Sequence, residues 1–338
     1  MGIIKAALIS LVLVAVTFAG DVSRKGTTGA EQLLIPVGAR SIATGRAFMA
    51  NITGVEAIYY NPGGLDASGK SEIMFNYMNH IADINVTYLA ASAHLPDLGT
   101  VALSVKTFDF GDIPVTTFES PEGTGFNYSP SFLTLGLSYS RALTDRVSAG
   151  ATVKLIYENI MNATAMGVGI DFGVQYRFNP NFTMGVTVTN IGSNMQYTGT
   201  DLHVRTQIPG QPVGGPTGVY EAVTEPFQIP SFFELALAYN FVINEMNNLM
   251  LGSTYRVNNA LEDNAFFGLE YGFMNTFFLR GGYNLNVQNM DNNIYGMSFG
   301  AGINYPFIEG MNIAVDYAFR EVKEFPKPSH VFTVKLLF

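Results

Sequence analysis

From Ser71 to Phe338 the sequence keeps returning to one pattern: about ten residues in which apolar side chains alternate with small or polar ones, then a turn. Met166, Val168, Ile170, Phe172, Val174, Tyr176 and Phe178 are interleaved with Gly167, Gly169, Asp171, Gly173, Gln175 and Arg177. Tyr295 to Tyr305 and Met311 to Phe319 read the same way. A period of two belongs to β-strands, whose successive side chains point to opposite faces, so each segment has one apolar face and one small, polar face. Fourteen such segments are legible, at about 72–79, 84–95, 99–108, 131–141, 146–158, 163–178, 181–190, 230–241, 247–257, 263–273, 275–286, 294–305, 310–321 and 329–338.

The character of the polar face decides where the apolar face looks. A soluble sheet furnishes its polar face with Lys, Glu and Thr; here Gly, Ala, Ser and Asn dominate, which suits a crowded, concave interior. Charged residues make up 13% of the chain, about half the roughly 25% of soluble domains, while hydrophobic residues reach 48%. After residue 20 there is no apolar run of the about 18 residues that a spanning helix needs. Aromatic residues gather near segment ends (Tyr139, Tyr157, Tyr176, Phe178, Tyr239, Phe241, Tyr271, Phe273, Tyr283, Tyr305), as in interfacial girdles. The expected fold class is all-β: a transmembrane antiparallel β-barrel of about fourteen strands, an even number as bacterial single-chain barrels require. Zero cysteines exclude disulfides and thiolate metal sites, and a net charge of −9 argues against a nucleic-acid partner.

The chain divides into three parts. Residues 1–19 read as a signal peptide: Lys5 precedes the apolar stretch Ala6 to Val16, and Thr17-Phe18-Ala19 offers a cleavage site. Residues 20–70 do not alternate, are rich in small side chains and end at a sharp Asn-Pro-Gly-Gly turn, so they are expected to form a hatch in the lumen; residues 71–338 form the barrel. The bacterial cell outer membrane is the expected location, with outer-membrane lipid as surroundings. The long gaps at about 109–130 and 191–229 both follow odd-numbered strands, which makes them extracellular if the chain enters from the periplasm. The second, rich in Gly and Pro, is a candidate lid or partner-docking surface. The last strand stops on Phe338, which resembles the assembly signal read by the barrel-assembly machinery.

The barrel segments carry scattered charges: Lys154, Asp171, Arg177, Glu234, Arg256, Glu270, Arg280, Asp316, Arg320 and Lys335. A basic residue facing lipid near the midplane costs about 2–4 kcal/mol, so all are expected to face the lumen. Both signs occur in comparable number, which favours mutual pairing and anchoring of the hatch through Arg40, Arg46 and Glu56 over solute selection. No catalytic constellation is visible. His80, His94, His203 and His330 lack a nearby Ser or acid at nucleophile spacing, and nothing has metal-ligand or cofactor-loop spacing beyond a weak calcium option at Asp201, Glu221 and Glu225. The expectation is a non-enzyme with no cofactor and no metal.

A family resemblance rests on the hatch. The stretch from Gly38-Ala39-Arg40-Ser41 through Arg46-Ala47-Phe48 to Tyr59-Tyr60-Asn61-Pro62-Gly63-Gly64-Leu65 resembles the amino-terminal signature of the PorV/PorQ family. That family lies within the FadL-type, long-chain fatty acid transporter-like, barrels, which carry an Asn-Pro-Ala-Gly-Leu-like turn; Gly63 stands where Ala is usual and Tyr60 where Trp is common. The resemblance implies a hatch motif of Gly38, Arg40, Arg46, Tyr60, Asn61, Pro62, Gly63, Gly64 and Leu65. It also implies a role in protein secretion, as a type IX-like docking or shuttle barrel for exported proteins. The alternative it implies is a FadL-like transporter of hydrophobic small molecules such as long-chain fatty acids.

Overall fold

The computed structural model describes residues 22–338 apart from 209, 213 and 290–292; the signal peptide read at 1–19 lies outside the described residues. Fourteen long strands form the wall: β1 Glu72–Asn79, β2 Asn85–Leu95, β3 Gly99–Asp109, β4 Ser131–Ala142, β5 Val147–Ile160, β6 Ala163–Asn179, β7 Phe182–Gly192, β8 Phe232–Asn244, β9 Asn247–Asn258, β10 Asn264–Phe273, β11 Phe277–Asn286, β12 Tyr295–Ile308, β13 Met311–Val322 and β14 Ser329–Leu337. Each pairs antiparallel with the next, and β1 closes the ring on β14 from Glu72 opposite Leu337 to Asn79 opposite His330. Closure leaves no strand edge, which a membrane would penalise by several kcal/mol for each unsatisfied backbone group.

The alternation in the sequence becomes alternation in burial, as along β3, where Ala102, Ser104 and Lys106 are buried and Leu103, Val105 and Thr107 exposed. Phe172 is 51% and Phe299 52% exposed on the outer surface, with Leu137, Leu251, Leu279 and Phe332 exposed on other strands. An apolar belt on the outside of a closed barrel fits hydrocarbon and no other solvent. At one end of β6, β7 and β8 a chain of rings runs Tyr176, Phe178, Phe182, Tyr239 and Phe241, with successive centroids 4.7, 4.9, 6.2 and 4.4 Å apart. This is part of a girdle. Phe172→Arg, near the middle of β6, is expected to destabilise the barrel by about 2–4 kcal/mol, read as a lower urea midpoint for unfolding from lipid vesicles; an unchanged midpoint would mean that Phe172 does not meet lipid.

Connections after even-numbered strands are short turns, while both long loops follow odd-numbered ones; in such barrels the short turns are periplasmic. The second loop is ordered in part by a hairpin of His203–Gln207 with Thr217–Glu221, and Thr198–Gly199 pairs with the start of β6 at Ala163 and Thr164. The chain ahead of β1 lies within the ring. At the long-loop end, Arg24 Nη1 donates to Asn259 Oδ1 at 2.8 Å and Lys25 pairs with Glu262 at 3.7 Å. Two short helices follow, α1 Ala39–Ala43 and α2 Ala57–Tyr60, then the Pro62–Gly64 turn at the short-turn end. There Asp66 Oδ2 accepts from the Ala142 amide at 2.8 Å, and the Phe338 amide donates to the Ser71 carbonyl at 2.9 Å.

One expected lumen charge is placed differently. Arg177 has inward parity but is exposed at the short-turn rim. β6 runs on to Asn179 while its neighbour begins at Val147 opposite Tyr176, so Arg177 stands beyond the wall of β5, its amide donating to the Arg146 carbonyl at 2.8 Å.

Candidate functional site

A hatch can sit tightly inside a fourteen-stranded ring only where the wall offers no side chains, and inward-facing glycines supply those places. A Cβ on Gly63 of the hatch would lie 2.8 Å from the Gly173 carbonyl oxygen, and one on Gly185 would lie 2.8 Å from Ala50 Cα. A Cβ on Gly173 would overlap the Asn61 side chain, on Gly268 the Thr44 carbonyl, and on Gly282 the Gly45 amide. The hatch backbone thus touches the wall backbone on β6, β7, β10 and β11.

Asn61, fully buried, organises the sharp turn. Its Oδ1 accepts from the Gly63 amide at 3.1 Å, and its Nδ2 donates to the Val174 carbonyl at 3.1 Å and the Met49 carbonyl at 3.4 Å. Pro62 is well placed just behind this cap, where a missing N–H costs nothing. Tyr60 Oη donates to the Val37 carbonyl at 2.7 Å, and Leu65 is fully buried in an apolar cluster with Val37, Ile58 and Met74. Gly38, at a φ of 84° that disfavours any side chain, turns the chain into α1 while its amide donates to Asn76 Oδ1 at 3.1 Å. Gly64 lies against the Ile52 carbonyl and Gln175, with no room for a Cβ.

The inward charges join hatch to wall. Arg40 makes a bidentate pair with Glu270 (2.9 Å from both Nε and Nη2), Arg280 shares the same carboxylate at 2.5 Å, and Arg280 Nη1 reaches Asp316 at 2.6 Å. Glu56, 1% exposed, pairs with Lys335 at 3.1 Å and accepts from the Ser41 hydroxyl at 2.6 Å. Burial opposes its ionisation, but Lys335, Ser41 and Arg40 outweigh that and hold its carboxyl below the ordinary value. Arg256 pairs with Glu234 at 2.6 Å, with Arg46 3.7 Å from the same carboxylate.

Several anchoring residues carry no signal in the sequence. Lys106, buried on β3, donates to the Gln32 carbonyl at 2.8 Å and to that of Ile35. Glu72 accepts from the Val55 amide at 3.1 Å, Gln175 donates to the Ile52 carbonyl at 2.8 Å, and Thr333 Oγ1 accepts from the Ala39 amide at 2.8 Å. A lone Lys or Thr on an inward face looks the same whether it meets water or a hatch carbonyl.

The wall is interrupted between β6 and β7. Ile170 opposes Ile191 but Phe172 opposes Val188, so Thr189 and Asn190 together stand against Asp171. This is a β-bulge. Asn190 takes a φ of 59°, its amide donates to Asp171 Oδ1 at 2.8 Å and its Nδ2 to the Pro230 carbonyl at 2.9 Å; Lys154 pairs with Asp171 at 2.8 Å. Beyond the bulge β7 loses its other neighbour, since β8 begins with Phe232 opposite Thr189. Ile229 approaches the inward glycines Gly169 and Gly192, and Met195 approaches Gly167. Behind them Ala30, Leu33, Ile156 and Ala165 complete an apolar cluster, with Tyr197 and Phe227 against it. A groove of about 350 Å³, lined by Phe132, Tyr197 and Phe227 together with Glu31, Gln32 and Glu158, borders this cluster.

A second, larger cavity of about 450 Å³ lies on the side of the long-loop end formed by β9 to β13, the β1–β2 connection and the hatch. Arg46, Arg256 and Arg320 line it together with asparagines. Among the described residues, no group of three His, Asp or Glu is gathered as metal ligands.

No family model and no curated protein matches the sequence. Solved structures do resemble the fold. The CymD monoaromatic hydrocarbon channel is 12% identical, with 90% of this chain and 97% of that one covered at a TM-score of 0.56. The toluene transporter TodX of Pseudomonas putida is 15% identical, with 89% and 97% covered at 0.54. A FadL homologue of Pseudomonas aeruginosa is 11% identical, with 90% and 98% covered at 0.50. The chain is an all-β, fourteen-stranded antiparallel outer-membrane barrel whose fold is shared by a monoaromatic hydrocarbon channel, a toluene transporter and a FadL homologue.

Proposed function

We propose that the chain is an outer-membrane channel for hydrophobic small molecules, which enter at the groove beside Phe132, Tyr197 and Phe227 and leave through the wall at the β6–β7 bulge. The observation that carries this reading is the apolar cluster of Leu33, Ile156, Met195 and Ile229 directly behind the break in the ladder. An axial route would have to break the Arg40–Glu270 and Glu56–Lys335 pairs and lift the hatch from its glycine contacts. The lateral route leads past Ile229 and Met195 to the bulge in the β6–β7 ladder, between the Ile170–Ile191 and Phe172–Val188 pairs. An apolar solute released there passes into hydrocarbon without meeting water, which is where the hydrophobic effect drives it.

CymD and TodX, the one a monoaromatic hydrocarbon channel and the other a toluene transporter, support the same solute class for this chain. The secretion role implied by the hatch sequence, with exported proteins as partners, gains no support from these neighbours, so the channel reading is preferred. On this reading the partners are outer-membrane lipid, a hydrophobic ligand and the assembly machinery, which would engage Phe338, and no chemical step is catalysed. Uptake of radiolabelled toluene by bacterial cells carrying the full chain tests it. Initial uptake above that of cells carrying an unrelated barrel is expected, and equal rates would overturn the reading.

A further inference from the structure

The 450 Å³ vestibule at the long-loop end has a mostly apolar wall, including Leu34, Ile35, Ile81 and Leu261, with Glu31 and Glu262 also on it. Its floor holds three guanidinium groups, Arg46, Arg256 and Arg320, which are 8%, 4% and 6% exposed. Glu234, shared by Arg256 at 2.6 Å and Arg46 at 3.7 Å, is the one carboxylate paired with them. Arg320 enters no ion pair among the described residues. Its Nη2 donates instead to Nδ1 of His80 at 3.2 Å, and its guanidinium lies over the Tyr295 ring at 4.0 Å. Burial, with Arg320 and Lys106 nearby, pushes His80 down to about 3, so the ring is neutral and offers a lone pair but no charge.

Two donors on this floor have no partner: Nε of Arg46 and Nε of Arg320. A buried, unpaired N–H on a charged group is costly, and two in one cavity point to an acceptor that arrives from outside. The walls extend the argument. Asn258, Asn264, Asn284 and Asn286 project from β9, β10 and β11, and Asn284 Oδ1 is also buried without a partner. A hydroxyl both donates and accepts, so it satisfies that carboxamide whichever way it is turned. Tyr295 and Phe266 add flat apolar surface.

We infer that this vestibule binds a small hydroxylated organic anion, of the hydroxy-acid or acidic-sugar class, with its carboxylate on Arg46 and Arg320 and a hydroxyl on Asn284. The site and the entrance to the hydrocarbon route on β4 to β8 share Glu31 on their walls, but the site does not depend on that route. A cavity of this volume holds one ligand of that size with ordered water.

Isothermal titration of the detergent-solubilised full chain tests the inference, using sodium glucuronate, glucose and sodium hexanoate as probes. Glucuronate is expected to bind, while glucose, lacking the anion, and hexanoate, lacking the hydroxyls, bind at least about tenfold more weakly. Arg320→Gln, checked for folding by circular dichroism, is expected to weaken glucuronate by about tenfold or more, as loss of a charge-assisted hydrogen bond does. Asn284→Ala, at a half-buried position where the fold does not depend on the side chain, is expected to weaken glucuronate and leave hexanoate unchanged. Absence of glucuronate binding, equal binding of hexanoate, or glucuronate affinity unaltered in both variants would each overturn the proposal. Toluene uptake should be the same in wild type and Asn284→Ala, which keeps this test distinct from that of the channel.

Discussion

Glu270→Ala is expected to loosen the hatch and open the barrel to ions. The Glu270 carboxylate, buried on β10, is held by Arg40 of the hatch and Arg280 of β11, and among the described residues no other ion pair joins α1 to the wall. Removing it leaves Arg40, half-buried, without its bidentate partner and the buried Arg280 with Asp316 alone. Breaking a buried pair by deleting one partner costs about 3–5 kcal/mol, because the remaining charge is stranded. The wall keeps its closed ladder, so the loss falls on the hatch. The expected result is a marked rise in ion conductance across planar bilayers together with faster amide exchange in residues 39–60, while the SDS-resistant barrel persists. Arg40→Ala added to Glu270→Ala is expected to recover part of the loss, since neutral neighbours strand no hatch charge. Conductance and exchange indistinguishable from wild type in Glu270→Ala would mean that packing alone retains the hatch.

Deletion of Asn190 is expected to abolish the lateral route without unfolding the protein. The bulge exists because Thr189 and Asn190 together oppose one residue of β6; with one of them gone, β7 can pair in register with β6 up to its last residue. Three hydrogen bonds of Asn190 are lost, from its amide to Asp171, from its Nδ2 to the Pro230 carbonyl and from Lys154 Nζ to its Oδ1, at about 1 kcal/mol each, and a repaired ladder offsets them. Toluene uptake is expected to fall at least about tenfold, given that the exit becomes a continuous sheet. Asn190→Gly serves as the control: it keeps the residue count and accepts the left-handed backbone at φ 59°, so the bulge and most of the uptake should remain. Equal uptake in the deletion and in wild type would place the exit elsewhere.

The wall was legible because lipid imposes one rule on every strand. Alternation located all fourteen strands, and it lapses where the sheet itself is irregular: β8 runs on past Phe241 through Val242 and Ile243, both exposed, across a register shift before Asn244, and β12 past Tyr305 through Phe307 and Ile308 across another. Two adjacent apolar residues cannot be read as alternating. Residues 20–70 were legible as a segment that does not alternate and that ends in a sharp Asn61-Pro62-Gly63-Gly64 turn; that Asn61 caps the turn was not. What the sequence does not carry is the set of partners between hatch and wall. Residues as distant as Ala39 and Thr333, or Gln32 and Lys106, meet only after the ring has closed. Opposite charges on inward faces gave the reason for pairing, but Glu270 with Arg280 follows from cross-strand register and Glu270 with Arg40 from the placement of α1. The bulge has no signature at all, because Thr189-Asn190 differs from any other strand dipeptide only in the register on either side of it.

The central claim is that an apolar solute leaves the lumen through the wall rather than along the axis. Crystals of the full chain soaked in iodobenzene and measured for anomalous scattering test it most directly. The expected result is iodine between Leu33, Ile156 and Ile229, with further sites continuing past Gly169 and Gly192 to the outer face. Iodine confined to the barrel axis on the periplasmic side of the Asn61 turn, with none beside Ile229, would contradict it.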